Sequence, residues 1–204
     1  MKQISSNSQN LARTQNELRI IEFLFRHFDE NLSINSLASA FELSPPGTMK
    51  ILKKLRNQKI LVSQRKGLAD FYKLNLALDA TINLLKYLLE SADIKKQTVP
   101  YVNELAALKP CAKMCILFGS ILSDSKTAKD VDIIIVIDKD DFGSAHKIIR
   151  SIENHLGKKV HAVMQTEDEL RDNLKKKDSV ILSAIKAGIF LWGSEYMLRG
   201  MKLE

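Results

Sequence analysis

Two aspartates separated by one residue stand directly before a long apolar run. Asp130 and Asp132 flank Val131, and residues 133–137 are all Ile or Val. Because alternate residues of a strand project to the same face, this spacing predicts two carboxylates side by side at the start of a buried strand. Paired carboxylates repel each other unless a proton or a cation lies between them, and oxygen ligands suit Mg²⁺ or Mn²⁺. The pair therefore predicts a divalent metal site.

A Gly-Ser pair ends the preceding apolar run. Residues 115–118 read C-I-L-F, which predicts a short buried strand, and Gly119-Ser120 follow it directly. A glycine at a strand end lets the backbone approach a ligand closely, and the N–H groups beyond it, with the Ser120 hydroxyl, suit phosphate oxygens. A phosphate-binding site near a metal-binding carboxylate pair predicts a site for a metal–nucleoside triphosphate (NTP) complex.

The pattern Gly119-Ser120, nine intervening residues, then Asp130-x-Asp132 resembles the nucleotidyltransferase superfamily that includes DNA polymerase beta, and in particular its minimal members. The resemblance covers about residues 105–193. It implies that Asp130 and Asp132 bind the metal and act in catalysis, and that Gly119 and Ser120 hold the outer phosphates of an NTP. It further implies attack on the alpha phosphorus by a hydroxyl acceptor, on a protein or a small molecule.

One position departs from the family pattern. Catalytic members carry a third carboxylate on the third core strand, and here that strand reads K-V-H-A-V-M over residues 159–164, which places His161 at the corresponding position. Imidazole ligates transition metals and accepts a proton, but it cannot supply negative charge to Mg²⁺. Three interpretations stay open: His161 is a base or metal ligand of a working enzyme, it marks a degenerate site that still binds nucleotide, or it is an ordinary half-buried histidine.

The positive charge of the chain is concentrated in its first third. The formal net charge is +7, and residues 1–75 contain 12 Lys and Arg against 6 Asp and Glu, whereas residues 76–204 contain 19 against 18. Such a distribution predicts an anionic partner for the N-terminal part, with double-stranded DNA as the first candidate.

The order of elements over residues 17–75 is helix, helix, basic helix, hairpin. Ser33 is the expected N-cap of the second helix, and Ser44 that of the third, with Pro45 in its first position. Strand-like alternation on both sides of Gly67 predicts the hairpin. This order resembles the winged helix-turn-helix family.

The winged-helix resemblance implies that the third helix enters the major groove and that the hairpin wing contacts the DNA backbone. Met49, Leu52 and Leu55 are expected to face inward. The expected DNA contacts come from basic residues of the third helix and the wing: Lys50, Lys53, Lys54, Arg65 and Lys66. The alternative is a winged helix used for protein contacts or dimerisation, in which these residues form a solvated face.

We therefore predict an α+β chain, with an N-terminal winged helix-turn-helix and a C-terminal α/β nucleotidyltransferase-like mixed sheet with helices on one side. The predicted domains are residues 1–91, ending in a helix that serves as a homodimer seam or a brace, and residues 100–204. The sequence contains no apolar run of membrane-spanning length, no secretory signal pattern and only two cysteines, which predicts a cytoplasmic protein.

Two functions from different classes fit these features. The first is a DNA-binding protein whose C-terminal domain binds an NTP–Mg complex and transfers a nucleotidyl group to a hydroxyl. The alternative is a transcriptional regulator whose C-terminal domain is catalytically degenerate and serves nucleotide sensing or dimerisation. The sequence alone does not decide whether the chain is an enzyme, because His161 stands in place of the third acid.

Overall fold

Three helices and a two-stranded hairpin form the N-terminal part of the chain. The computed structural model describes residues 14–91 and 93–202. The helices are α1 (Gln15–Arg26), α2 (Ile34–Ala40) and α3 (Pro45–Asn57), and the antiparallel strands are β1 (Leu61–Lys66) and β2 (Ala69–Leu74). This is the winged helix-turn-helix arrangement that the sequence predicts.

Local capping explains where these helices begin. The Ser33 hydroxyl accepts a hydrogen bond from the backbone N–H of Ser36 in a capping box, and the Ser44 hydroxyl accepts one from Gly47. Gly67 turns the hairpin with φ +62°. The caps at Ser33 and Ser44 are thus confirmed.

The buried stripe of α3 differs by one residue from the prediction. Thr48, Leu52 and Leu55 are buried, whereas Met49 is 53% exposed. Met49 and Thr48 lie three and four positions before Leu52, so both are near its face of the helix. The packing of α3 buries Thr48 instead of Met49. The expectation that Met49 faces inward is therefore wrong.

A four-stranded mixed sheet forms the C-terminal part. Its strands are β3 (Ala112–Phe118), β4 (Asp130–Ile137), β5 (Lys159–Gln165) and β6 (Ile189–Trp192), in the order β5-β4-β3-β6. β3 runs antiparallel to β4 and β6, and β4 runs parallel to β5. Helix α4 (Asp79–Glu90) follows the hairpin and ends the N-terminal part, and the helices of the C-terminal part are α5 (Val99–Leu105), α6 (Phe142–Leu156), α7 (Glu167–Lys175), α8 (Ser179–Ala187) and α9 (Ser194–Lys202).

Helices cover both faces of the sheet, which corrects the prediction of helices on one side. Ile116 and Ile134 pack with α7, α8, α9 and the N-terminal helices, whereas Leu117 and Ile133 pack with α5 and α6. The reason lies in β4, where every residue from 133 to 137 is apolar and buried. A strand without alternation has to be covered on both faces.

Direct contacts join the N-terminal part to the sheet. The Arg26 guanidinium donates to the carbonyl oxygens of Ile185 and Gly188 at 2.9 and 3.1 Å. The Glu90 carboxylate accepts from the backbone N–H and hydroxyl of Ser194 at 2.8 and 2.7 Å. α4 therefore braces α9. The division into residues 1–91 and 100–204 stays a prediction, and its terminal residues 1–13, 203 and 204 lie outside the described residues.

Helix α9 follows the last strand, β6, and packs on α7 and α4. No helix in residues 14–91 or 93–202 is both long enough and apolar enough to cross a membrane.

Candidate functional site

The register of β4 and β5 brings Asp130, Asp132 and His161 together. Asp132 and His161 are partners in this parallel pair. His161 Nδ1 lies 3.5 Å from Asp130 Oδ2 and 3.6 Å from Asp132 Oδ1. One ligand atom from each of the three residues falls within a span of 4.8 Å. The His161 side chain is 64% exposed, so the cluster opens to solvent.

The environment of Asp132 disfavours its ionised form. Burial raises the pKa of Asp132 above its ordinary value, and the neighbouring Asp130 charge raises it further, while contact with His161 opposes both. A cation bound between these carboxylates would relieve the same repulsion.

Gly119 lies directly against this cluster. It follows β3, whose last residue, Phe118, is paired with Asp132, and its backbone has φ +81°. A Cβ atom at residue 119 would overlap the Asp132 carboxylate and lie 3.0 Å from its Cγ. Both the backbone conformation and the close approach therefore require glycine. The Gly-Ser bend and the acid pair adjoin, as the sequence pattern predicts.

The segment after the bend is shorter than a helical phosphate site needs. Residues Ser120–Leu122 form only one 3₁₀ turn. A single turn has a weak dipole. Binding of a phosphate here would therefore depend on the backbone N–H groups and on the exposed Ser120 hydroxyl.

The loop between the bend and β4 is held by its own side chains. Asp124 accepts hydrogen bonds from the Lys126 backbone N–H and the Thr127 hydroxyl, both at 2.9 Å. Asp124 is therefore a turn residue. Lys126 and Lys129 are exposed, and within the described residues their ammonium groups make no hydrogen bond or ion pair. They remain available to an anionic ligand.

The donor set fits a divalent cation. Two carboxylates and one imidazole are hard and borderline ligands, a combination that suits Mn²⁺ or Zn²⁺ better than Mg²⁺, which prefers oxygen alone. The residues that would hold the cation are Asp130, Asp132 and His161.

A second candidate surface lies on α3 and the wing. Lys50, Lys53 and Arg65 are exposed, and their side chains make no hydrogen bond or ion pair anywhere in residues 14–91 and 93–202. Lys66 is also exposed and donates to Asn31 Oδ1 at 2.8 Å. α3 contains no Asp or Glu. The structure thus presents four of the five predicted basic residues on an accessible face.

Lys54, the fifth predicted DNA contact, also makes an ion pair within the chain, and its contact with DNA stays a prediction. Its ammonium group donates to Glu17 Oε1 at 2.7 Å, and the Glu17 side chain is only 4% exposed. Lys54 therefore neutralises a buried carboxylate between α1 and α3. Glu17 is a residue whose role was missed from the sequence. Its position in the apolar stripe of α1, four residues before Ile21 and seven before Leu24, is the signal that could have found it.

Comparison with known proteins gives only slight similarities. No protein-family model matches the chain, and no curated protein does. Among solved structures, reduced HlyU from Vibrio cholerae shares 24% identity over 39% of this chain and 80% of its own, with a TM-score of 0.33. MepR, a transcription regulator of the Staphylococcus aureus multidrug efflux pump MepA, shares 15% over 48% and 78%, with a TM-score of 0.34. A cysteine-to-serine mutant of Lactococcus lactis ZitR shares 12% over 76% and 83%, with a TM-score of 0.32. No function is transferred from these proteins at this level of similarity.

Proposed function

We propose that the chain is a DNA-binding transcription regulator whose winged helix binds double-stranded DNA and whose C-terminal domain binds a divalent metal together with a nucleotide. The observation that carries the DNA-binding part is the free basic face, on which Lys50, Lys53 and Arg65 are exposed and unpaired within the described residues. Phosphate neutralisation by such residues supplies most non-specific affinity for DNA.

The geometry of α3 supports its insertion into the major groove. Leu52 and Leu55 anchor one side of the helix in the core, and the opposite side exposes Met49, Lys50 and Lys53. In this arrangement the two lysines contact phosphates, while the exposed Met49 offers an apolar contact for thymine methyl groups.

The test is binding of a labelled duplex across a salt series. Lys50→Ala with Lys53→Ala should weaken binding and flatten its salt dependence. Lys175→Ala with Lys176→Ala removes the same charge from exposed positions at the end of α7. This control should leave the affinity and its salt dependence unchanged. Equal binding by the two double variants would refute the proposed DNA surface.

Nucleotidyl transfer is the second candidate, favoured by the contact between Gly119 and the Asp132 carboxylate within the acid cluster. Asp130, Asp132 and His161 would hold Mn²⁺ or Mg²⁺, and the cation would supply charge stabilisation at the phosphates. Gly119 and Ser120 would bind the phosphate oxygens. If His161 is instead left unligated, it would accept the proton of the attacking hydroxyl, from a protein or a small-molecule acceptor, and pyrophosphate would leave.

One assay separates the two candidates. The protein is incubated with alpha-labelled ATP and Mn²⁺ or Mg²⁺, and both bound nucleotide and transferred label are measured. Transfer that is abolished by Asp130→Ala with Asp132→Ala supports an enzyme. Metal-dependent nucleotide binding without transfer supports a regulator with a degenerate site.

The homodimer stays part of the proposal. The trailing helix α4 exposes Tyr87, a large side chain that is 68% exposed. Sedimentation of the chain should show a dimer that Tyr87→Glu dissociates if this face is the seam.

A further inference from the structure

A cavity of about 260 Å³ lies where the wing meets the C-terminal helix. It is bounded by α1, by β2 and the segment that follows it, and by α9. Most of its wall is apolar, with contributions from Leu24, Phe25, Phe28, Leu74, Leu76 and Met201. The cavity contains none of the residues of the acid cluster on β4 and β5. For comparison, an engineered apolar cavity of about 150 Å³ suffices to bind benzene.

The charged residues of this cavity leave a positive excess. The Glu30 carboxylate already has partners, since it contacts His27 Nδ1 at 2.9 Å and Lys186 Nζ at 3.1 Å, a lysine that also lies 3.6 Å from Asp29 Oδ2. Lys73 and Lys202 also line the cavity, and within the described part of the chain neither ammonium group has a hydrogen bond or an ion pair. Two unpaired cations beside an apolar wall favour a ligand with one anionic end.

Tyr72 also lines the cavity, and as a residue it is 6% exposed.

We propose that this cavity binds a small amphipathic carboxylate. The apolar part of the ligand packs among the side chains of α1 and α9, and its carboxylate lies between Lys73 and Lys202. Such a ligand contacts the wing strand and the C-terminal helix together. The proposal does not depend on the DNA-binding or nucleotide functions.

The experiment is calorimetric titration of the full chain with octanoate, 1-octanol and octylamine, which share a chain length but differ in charge. Octanoate should bind saturably and raise the melting temperature, octanol should bind more weakly, and octylamine should not bind. Lys73→Ala with Lys202→Ala should reduce octanoate affinity by about fivefold per charge at most, towards that of octanol. Lys175→Ala with Lys176→Ala is the charge-matched control and should leave the affinity unchanged.

A second variant tests the location. Ala77 lines the cavity and is exposed, so Ala77→Leu fills the space without disturbing the core. It should abolish binding of both octanoate and octanol while the ligand-free melting temperature stays within a few degrees of the original. Absence of saturable octanoate binding overturns the proposal. Octanoate binding that survives Ala77→Leu overturns it as well. The same holds if the ratio of octanoate affinity to octanol affinity is unchanged in the double-lysine variant.

Discussion

Gly119 and Asp132 touch across the paired strands β3 and β4, so closely that any side chain at residue 119 would displace the Asp132 carboxylate. The contact holds one of the two acids in place beside the bend and makes the Gly-Ser pair part of the candidate metal and phosphate site. The backbone of Gly119, with φ +81° and ψ −163°, is in a region that only glycine adopts readily. Substitution at this position therefore has two separable effects.

Gly119→Ala should impair metal binding and cost about 1–3 kcal/mol of unfolding free energy, because it forces an unfavourable backbone conformation. Isothermal titration with Mn²⁺ measures the first effect and urea unfolding the second. Gly143→Ala is the matched control, since a Cβ at residue 143 meets nothing within 4 Å. The control should bind Mn²⁺ normally and be at least as stable as the original chain, because alanine suits a helix. Normal Mn²⁺ affinity in a folded Gly119→Ala protein would contradict the assignment.

His161→Asp should shift the metal preference of the cluster from Mn²⁺ towards Mg²⁺. The added charge should raise the affinity for both divalent ions, since a unit charge at 4 Å from a divalent ion contributes about 2 kcal/mol even in bulk water. The ratio should change because oxygen replaces nitrogen, and Mg²⁺ prefers oxygen ligands. Titrations with both ions at neutral pH give the ratio of affinities. His155→Asp, on an exposed side chain outside the cluster, is the control. An unchanged Mg²⁺ to Mn²⁺ ratio in His161→Asp would show that residue 161 is not a ligand.

Lys50→Ala with Lys53→Ala should reduce the slope of log K against log salt by about 1.8, since each lost phosphate contact removes about 0.9. The expected loss is uniform across DNA sequences, because phosphate contacts carry no sequence information. Fluorescence anisotropy with two unrelated duplexes at several salt concentrations measures both quantities. A slope equal to that of the original chain would remove these lysines from the interface.

Lys54→Ala should act on stability instead of DNA contact. It leaves the buried Glu17 carboxylate without its partner, at a cost of about 1–3 kcal/mol. Urea unfolding should compare the single variant with the double variant Glu17→Leu with Lys54→Met. The double variant should keep the original stability, because replacing both partners by apolar residues is often neutral. If Lys54→Ala retains full stability but loses salt-dependent DNA affinity, Lys54 belongs to the DNA surface after all.

Arg26→Ala should loosen the attachment of the winged helix to the sheet. It removes the donor that serves the carbonyl oxygens of Ile185 and Gly188, with an expected loss of about 2 kcal/mol. Arg150→Ala removes an exposed arginine of α6 and should change stability by less than about 0.5 kcal/mol. Thermal unfolding monitored by circular dichroism compares the two. Equal stability of both variants would show that these hydrogen bonds contribute nothing.

Much of the fold follows from local sequence signals. Ser33 and Ser44 start their helices, and Gly157 ends α6 with φ +62°, because capping depends on residues within one turn. The acid pair of the candidate site is likewise local, since the spacing of Asp130 and Asp132 already places them on one face of β4.

The remaining features depend on contacts between residues far apart in the chain. Lys50, Lys53 and Lys54 look alike in sequence, and only the packing of α1 on α3 assigns Lys54 to Glu17. The packing of α3 against its neighbours likewise buries Thr48 and leaves Met49 exposed. His161 reaches the aspartates only because β5 pairs in parallel with β4 at one particular register. Local sequence specified the elements and the ligand types, while tertiary packing decided which side chains are paired, buried or free, because burial and ion pairing depend on neighbours that distant segments supply.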